Sequence, residues 1–244
     1  MTLDVPFSQY AIFTRGLTKT FGLIPALRGV ELNLLQGEFL TLFGPNGAGK
    51  TTLIKILSSL IKPTTGTAWV AGFDIQKNDP KMRKEIGVIS HVSFLYENLS
   101  AFENITFYAR MHDLERPEER ALNVIAKAGL KTRMHDRVGT FSRGMLQRIS
   151  IARAMINEPS ILFLDEPYTG LDLRASIQLK EQLESLHDGK RAIIMTTHDI
   201  SRGLEVSDHV AILAKGRIAL QEKAKDIKPT DFEKYYFEIV AKAK

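Results

Sequence analysis

The sequence contains no cysteine, which excludes disulfides, thiolate catalysis and cysteine-ligated zinc or iron–sulfur sites. Long apolar runs are missing too. The longest, residues 210–214, has five members, against the roughly 20 that a membrane-spanning helix requires. No repeat, low-complexity tract or Pro/Gly-rich linker divides the chain. Its first ten residues carry Asp4 and Pro6 and lack the basic, apolar, small-residue order of a secretory leader. The expectation is a protein that stays in the compartment where it is made.

What is present is a chain of 244 residues, 44% hydrophobic and 25% charged, enough for one large domain with a real core. A net charge of +5 invites a nucleic-acid or anionic-membrane reading. The distribution argues against it: Lys81, Arg83 and Lys84 stand beside Asp79 and Glu85, and Arg116 and Arg120 stand among Glu115, Glu118 and Glu119. Mixed charge of this kind predicts a solvated face.

Apolar alternation predicts strands over 13–21, 30–35, 39–43 and 66–72. Between the last two, Leu53, Ile54, Leu57 and Leu60 have helical spacing, predicting a helix over 51–60 that Pro63 stops. From about 100 to 157 the pattern turns helical. Ser100 with Glu103 fits a capping box, Pro117 fits a first helical position, and Ser142 precedes a helix that Pro159 follows. Strands return at 161–164 and 192–197, joined by a helix begun by Asp172, and 210–214 with 217–220 form a hairpin. Strand–helix–strand crossovers of this length imply a parallel sheet. The expected fold is α/β, with a helical insertion at its middle.

Gly44-Pro45-Asn46-Gly47-Ala48-Gly49-Lys50-Thr51 is a complete G-x-x-x-x-G-K-[ST], placed between a predicted strand and a predicted helix. Glycines let several backbone N–H groups converge on phosphate oxygens, and the following helix adds its positive end. Lys50 supplies a full charge to the β- and γ-phosphates, and the Thr51 hydroxyl suits Mg²⁺. Thr52 continues the segment. An apolar strand at 161–164 ends in Asp165-Glu166. Asp165 is expected to anchor Mg²⁺, and Glu166 to orient or deprotonate an attacking water.

Further segments resemble the ATP-binding-cassette (ABC) ATPases. Phe141-Ser142-Arg143-Gly144-Met145, with Gln147-Arg148 and Ala152-Arg153-Ala154, looks like their signature; Asp165-Glu166-Pro167-Tyr168-Thr169-Gly170-Leu171-Asp172 resembles Walker B and the D-loop; Thr197-His198-Asp199 resembles the switch histidine. Phe21 stands where the family places an aromatic that stacks on adenine. The likeness covers about residues 11–222 in the expected order. It implies a P-loop NTPase fold with a mostly parallel core sheet, an N-terminal antiparallel β subdomain and an inserted α-helical subdomain. The whole of 1–244 then forms one ATPase domain: 1–91 core with the β subdomain, 92–158 helical, 159–228 core, and 229–244 a C-terminal tail. By itself Ser142 reads as an ordinary N-cap. The resemblance makes Ser142, Arg143, Gly144 and Met145 close over ATP held by a second copy, so it implies a head-to-tail dimer (or a paired ABC subunit) with MgATP at the interface. It gives His198 a contact with the γ-phosphate and Asp172 a place in the D-loop. The other histidines (112, 135, 187 and 209) have no such support and are expected to be surface or packing residues.

Two positions depart from the family pattern. His91 stands where a glutamine is expected, and no glutamine occurs between Gln76 and Gln147. His91 is expected to keep a Mg²⁺ contact through water, so that turnover weakens below about pH 6.5. Arg143 and Met145 replace the commonest glycine and glutamine of the signature, while Ser142 and Gly144 remain. Aromatics cluster at Phe94, Tyr96, Phe102, Phe107 and Tyr108, where core packing competes with docking of a membrane subunit. The resemblance thus implies the ATP-hydrolysing subunit of a transporter, at the cytoplasmic face of the membrane, paired with a separate transmembrane chain. Its details look most like bacterial exporter ATPases of the cytochrome c maturation, haem-exporting type. A soluble ABC ATPase acting on nucleic acid or the ribosome, and an unrelated P-loop kinase, are the competing readings.

Overall fold

The computed structural model describes residues 9–90 and 92–242. In chain order these form β1 (Tyr10–Phe21), β2 (Ile24–Leu35), β3 (Phe39–Phe43), α1 (Lys50–Leu57), β4 (Thr65–Val70), β5 (Phe73–Asp74), α2 (Pro80–Lys84) and β6 (Ile86–Ile89). Three longer helices follow, α3 (Ala101–Met111), α4 (Pro117–Lys127) and α5 (Arg143–Ala154). The chain closes with β7 (Ile161–Asp165), α6 (Leu173–Leu186), β8 (Ala192–Thr196), α7 (Ile200–Val206), β9 (His209–Ala214), β10 (Arg217–Lys223) and α8 (Pro229–Lys242).

Two sheets organise them. An antiparallel sheet has the order β2-β1-β4-β5, and a six-stranded sheet has the order β10-β9-β3-β8-β7-β6. In the latter every neighbouring pair is parallel except β10 with β9. β3, β7 and β8 are buried along their whole length, which is why they read as near-continuous apolar runs. Their alternate residues serve two cores. Leu40, Leu42, Phe163 and Ile194 face α1 and the antiparallel sheet. Phe39, Leu162, Leu164, Ile193 and Met195 pack with Ile151 of α5 and Leu179 and Leu183 of α6. The helical insertion has a third core, built from Ile105, Ala109, Ala121, Ile125, Val138 and Ile149. The expected α/β fold, antiparallel sheet and helical insertion are all present.

Local signals act as their chemistry predicts. The Ser100 N–H donates to Glu103 Oε2 at 2.7 Å and the Glu103 N–H to Ser100 Oγ at 3.1 Å, closing the capping box. Pro117 opens α4, and Ser142 and Asp172 cap α5 and α6. Two expectations differ. α1 ends at Leu57 rather than residue 60, because the Ser58 hydroxyl donates back to the Ile54 carbonyl and Ser59 turns to a φ of 60°, leaving Leu60 exposed. Residues 229–242, expected as a tail, form a helix whose Phe232 is fully buried with Phe43, Val210 and Ile212.

Candidate active site

β3 delivers the chain to the glycine-rich loop, and α1 leaves from it with Gly49 as its N-cap, at a φ of 109°. A Cβ there would lie 2.6 Å from the Ala26 carbonyl of β2. Only glycine meets both the dihedral and the space. The Ala48 carbonyl accepts from the Gly216 N–H at 3.1 Å, so the β9–β10 turn props the loop from behind.

Lys50 is buried, and its ammonium donates to the carbonyls of Gly44 at 2.6 Å and Pro45 at 3.3 Å. Its Nζ lies 3.6 Å from Glu166 Oε1. Burial pulls the ammonium below the usual lysine range, and Glu166 and Asp165 oppose that pull. Pro45, Asn46, Gly47, Thr51 and Thr52, with Lys50, Glu166 and Ala26, line a cleft of about 240 Å³.

The acids stand at the C-terminal end of β7. Asp165 is buried, and its Oδ1 accepts the Thr196 hydroxyl at 2.7 Å. The same Thr196 oxygen accepts the Glu166 N–H at 3.0 Å, while the Thr196 carbonyl accepts it at 3.1 Å. Held from β8 in this way, Glu166 adopts a left-handed φ of 53°. That turn sends its carboxylate toward Lys50 on one side and His198 on the other, whose Nδ1 lies 2.9 Å from Glu166 Oε2. His198 is 67% exposed and follows the end of β8. Lys50, Asp165, Glu166 and His198 are thus brought together, and the unforeseen organiser is Thr196. Its signal was its position, a polar residue at the end of an apolar strand just before Thr197-His198.

The remaining expected residues lie apart from this group. Ser142 caps α5 by accepting the Met145 N–H at 3.3 Å, and Asp172 caps α6 by accepting the Ala175 N–H at 2.8 Å. Ser142, Arg143, Gly144, Met145 and Asp172 share an open cleft of about 590 Å³ that has no residue in common with the glycine-rich loop's cleft. Arg143 also borders a third cleft, with Ser90, Val92 and Glu166. His91 lies outside the described residues. Phe21 ends β1, half exposed, with Lys19 Nζ 5.0 Å from its ring centroid. Among the other histidines, His187 pairs with Asp208 at 2.9 Å and His209 with Glu38 at 3.0 Å.

The residues fit a Mg²⁺-bound nucleotide. The cradle is open at Gly47, where a Cβ would meet nothing within 4 Å, the lysine's acceptors are loop carbonyls, and Thr51 and Asp165 offer oxygen donors. Among the described residues no group of three His, Cys, Asp or Glu is gathered to hold a metal alone. Mg²⁺ characteristically completes its shell with substrate phosphates and water.

Residues 27–169 match the family described as ABC transporter. The chain belongs to that family. As an ABC transporter ATP-binding domain it is an ATPase, using ATP with Mg²⁺. It is 34% identical over 198 residues to the ABC transporter ATP-binding protein NatA of Bacillus subtilis, covering 80% of each chain. With the daunorubicin/doxorubicin resistance ATP-binding protein DrrA of Streptomyces peucetius it shares 33% identity over 220 residues, covering 89% of this chain and 67% of that one. Among solved structures it resembles the ATP-binding cassette MJ0796, captured as a dimer bound to ADP and Pi. The TM-score is 0.80 at 28% identity, over 87% of this chain and 98% of that chain. The structure of cbiO1 from Clostridium perfringens, part of a transporter complex, matches with a TM-score of 0.81 at 27% identity, over 93% and 92%. Among the described residues no helix is long and apolar enough to cross a membrane.

Proposed function

We propose that two copies, or this chain and a paired ABC subunit, close head to tail around two ATP molecules, each held by one copy's glycine-rich loop and the other's signature. The observation that carries this is the separation of the two clefts. A single copy presents Lys50 and Ser142 in pockets with no shared wall, so neither encloses a triphosphate unaided. The dimeric MJ0796 cassette supports the reading.

In the ground state Lys50 exchanges its loop carbonyls for the β- and γ-phosphate oxygens, and Phe21 stacks on adenine. Mg²⁺, when bound, neutralises phosphate charge, held by Thr51 and by Asp165 through its water shell. His91 is assigned a water-mediated contact to it. From the partner copy, the Ser142 hydroxyl and the N–H groups at the start of α5 meet the γ-phosphate; Arg143, Met145 and Asp172 border that contact. Glu166 takes a proton from a water whose oxygen attacks the γ-phosphorus as the bond to ADP breaks. His198 orients that water through the carboxylate it already touches.

The work done is transport. Relatives named for daunorubicin resistance and fluoroquinolone export favour an exporter. Phe94, Tyr96 and Phe107 are exposed on the helical insertion, and supply an apolar patch for a separate membrane subunit that would hold the protein at the cytoplasmic face. The haem-exporter likeness has no counterpart among these relatives and is left out of the proposal. Nucleic-acid action gains nothing either, since Arg110, Arg116 and Arg133 are paired with acids.

Glu166→Gln should retain ATP and sediment as a dimer with it, while hydrolysis falls at least about a hundredfold. A variant that binds ATP and stays monomeric refutes the sandwich.

A further inference from the structure

His198 stands between the end of β8 and the start of α7, outside both, so whatever holds α7 helps decide where its ring lies. The local sequence does part of this. The Asp199 N–H donates to Thr197 Oγ1 at 3.1 Å, and Asp199 Oδ1 accepts the Arg202 N–H at 3.1 Å as the N-cap of α7. A helix of seven residues does not hold itself in water and depends on its neighbours. Gly203 and Val206 seat it on the core; at the end nearest His198 the further tie is the Arg202 side chain.

An arginine in a helix's first turn is opposed by the positive end of the dipole, so the helix itself gives no reason for one there. Its contacts do. Nε lies 3.2 Å from Asp199 Oδ2, and Nη1 donates to Ser176 Oγ of α6 at 3.4 Å. The guanidinium carbon lies 5.0 Å from the centroid of the Tyr168 ring, within cation–π range. Lys180 and Glu205, 2.7 Å apart, also join α6 to α7, but both side chains are exposed and such pairs hold weakly.

Tyr168 belongs to the turn that carries Glu166. The Thr169 N–H donates to the Glu166 carbonyl at 3.1 Å, and the Leu171 N–H to the Tyr168 carbonyl at 3.2 Å. The ring is buried, and its hydroxyl has no partner among the described residues. Burial pushes the phenol up to about 12, so it stays neutral and offers Arg202 a ring face rather than a charge. Arg202 therefore touches both the turn of Glu166 and the turn of His198, whose side chains meet at 2.9 Å.

We propose that Arg202 is a positioning residue for hydrolysis, holding these two turns at the spacing that lets His198 reach the Glu166 carboxylate. It has no place in the nucleotide cleft. It acts through His198, and so rests on the role given to His198 above. A reacting geometry displaced by about 1 Å can cost about a hundredfold in rate, and release of this one tie is expected to cost about tenfold.

The test is steady-state phosphate release by the full chain. Arg202→Met should lower kcat about tenfold or more and leave the KM for ATP within about twofold, since the glycine-rich loop is untouched. Tyr168→Leu should do the same, and the conservative Tyr168→Phe, which keeps the ring, should restore kcat. In a His198→Ala background Arg202→Met should cost less than about twofold more, because the residue it positions is gone. A purely structural arginine would add its loss in full. The melting shift that MgATP produces shows that each variant folds and binds. Arg202→Met with wild-type kcat, Tyr168→Phe as slow as Tyr168→Leu, or a loss repeated in full without His198 overturns the proposal and leaves the role of His198 standing. Wild-type kcat in His198→Ala removes that role, and the positioning with it.

Discussion

Thr196→Val isolates the residue that organises the acids. Valine fills the same space, so the change removes the hydroxyl and little else. The Glu166 N–H keeps the Thr196 carbonyl at 3.1 Å, whereas buried Asp165 loses the donor that lay 2.7 Å from its Oδ1. One hydrogen bond to a charged, buried group stabilises by ~1.5–3 kcal/mol. In a chain of this size each kcal/mol moves Tm by ~2–4 °C, so the expected drop is about 3–12 °C. Scanning fluorimetry without nucleotide measures it. Asp165 also loses its orientation, and the Mg²⁺ concentration for half-maximal hydrolysis should rise by about tenfold, equivalent to ~1.4 kcal/mol. Thr196→Ser, which keeps the hydroxyl, should restore the Mg²⁺ dependence even though it leaves a methyl-sized gap. A valine variant with wild-type Tm and wild-type Mg²⁺ dependence refutes the role assigned to this side chain.

Gly170→Ala forces a side chain into a φ of 75° and onto the Arg143 guanidinium, and should cost about 1–3 kcal/mol in urea denaturation. Adding Arg143→Ala should return part of that loss, a non-additivity that two independent sites would not show. Phe232→Ala removes the buried anchor of α8 and should destabilise by about 3–5 kcal/mol, with new proteolytic cleavage within 229–242. The Lys50 ammonium is held below its unfolded-chain range by burial, so its charge opposes folding of the nucleotide-free protein. That opposition is full below the folded pKa and eases as pH rises toward the unfolded value of 10.5. Lys50→Met should flatten this rise in a pH series of apo melting curves, while abolishing the Tm increase that MgATP gives. His198→Ala should lower kcat far more than it raises the KM for ATP, measured by phosphate release.

The parallel core was legible because β3, β7 and β8 are buried on both faces and therefore spell nearly unbroken apolar words. Ser100, Ser142 and Asp172 marked helix starts because each side chain accepts a local N–H, and Pro117 because its ring presets φ for a first helical position. α8 escaped notice although Phe232, Tyr236 and Ile239 recur at helical spacing, for only the long-range contact with Phe43 shows what that stripe covers. Lys50, Asp165, Glu166 and His198 were readable as residues. Their convergence was not, since it depends on β8 lying between β7 and β3. Ala26 gave no signal at all: what it sets against Gly49 is a backbone carbonyl, and any residue has one.

The left-handed backbone at Glu166 carries a further implication for how sturdy this enzyme can become. For a residue with a Cβ that conformation is worse than the ordinary helical one by ~1–2 kcal/mol. Glycine would adopt it freely, yet Glu166→Gly would also widen the freedom of the unfolded chain and strip the buried Lys50 ammonium of one of the two acids that offset its burial. The side chain that strains this turn is thus the one that steadies the lysine beneath it. Relaxing the backbone here therefore gives no sturdier enzyme, only an inactive one.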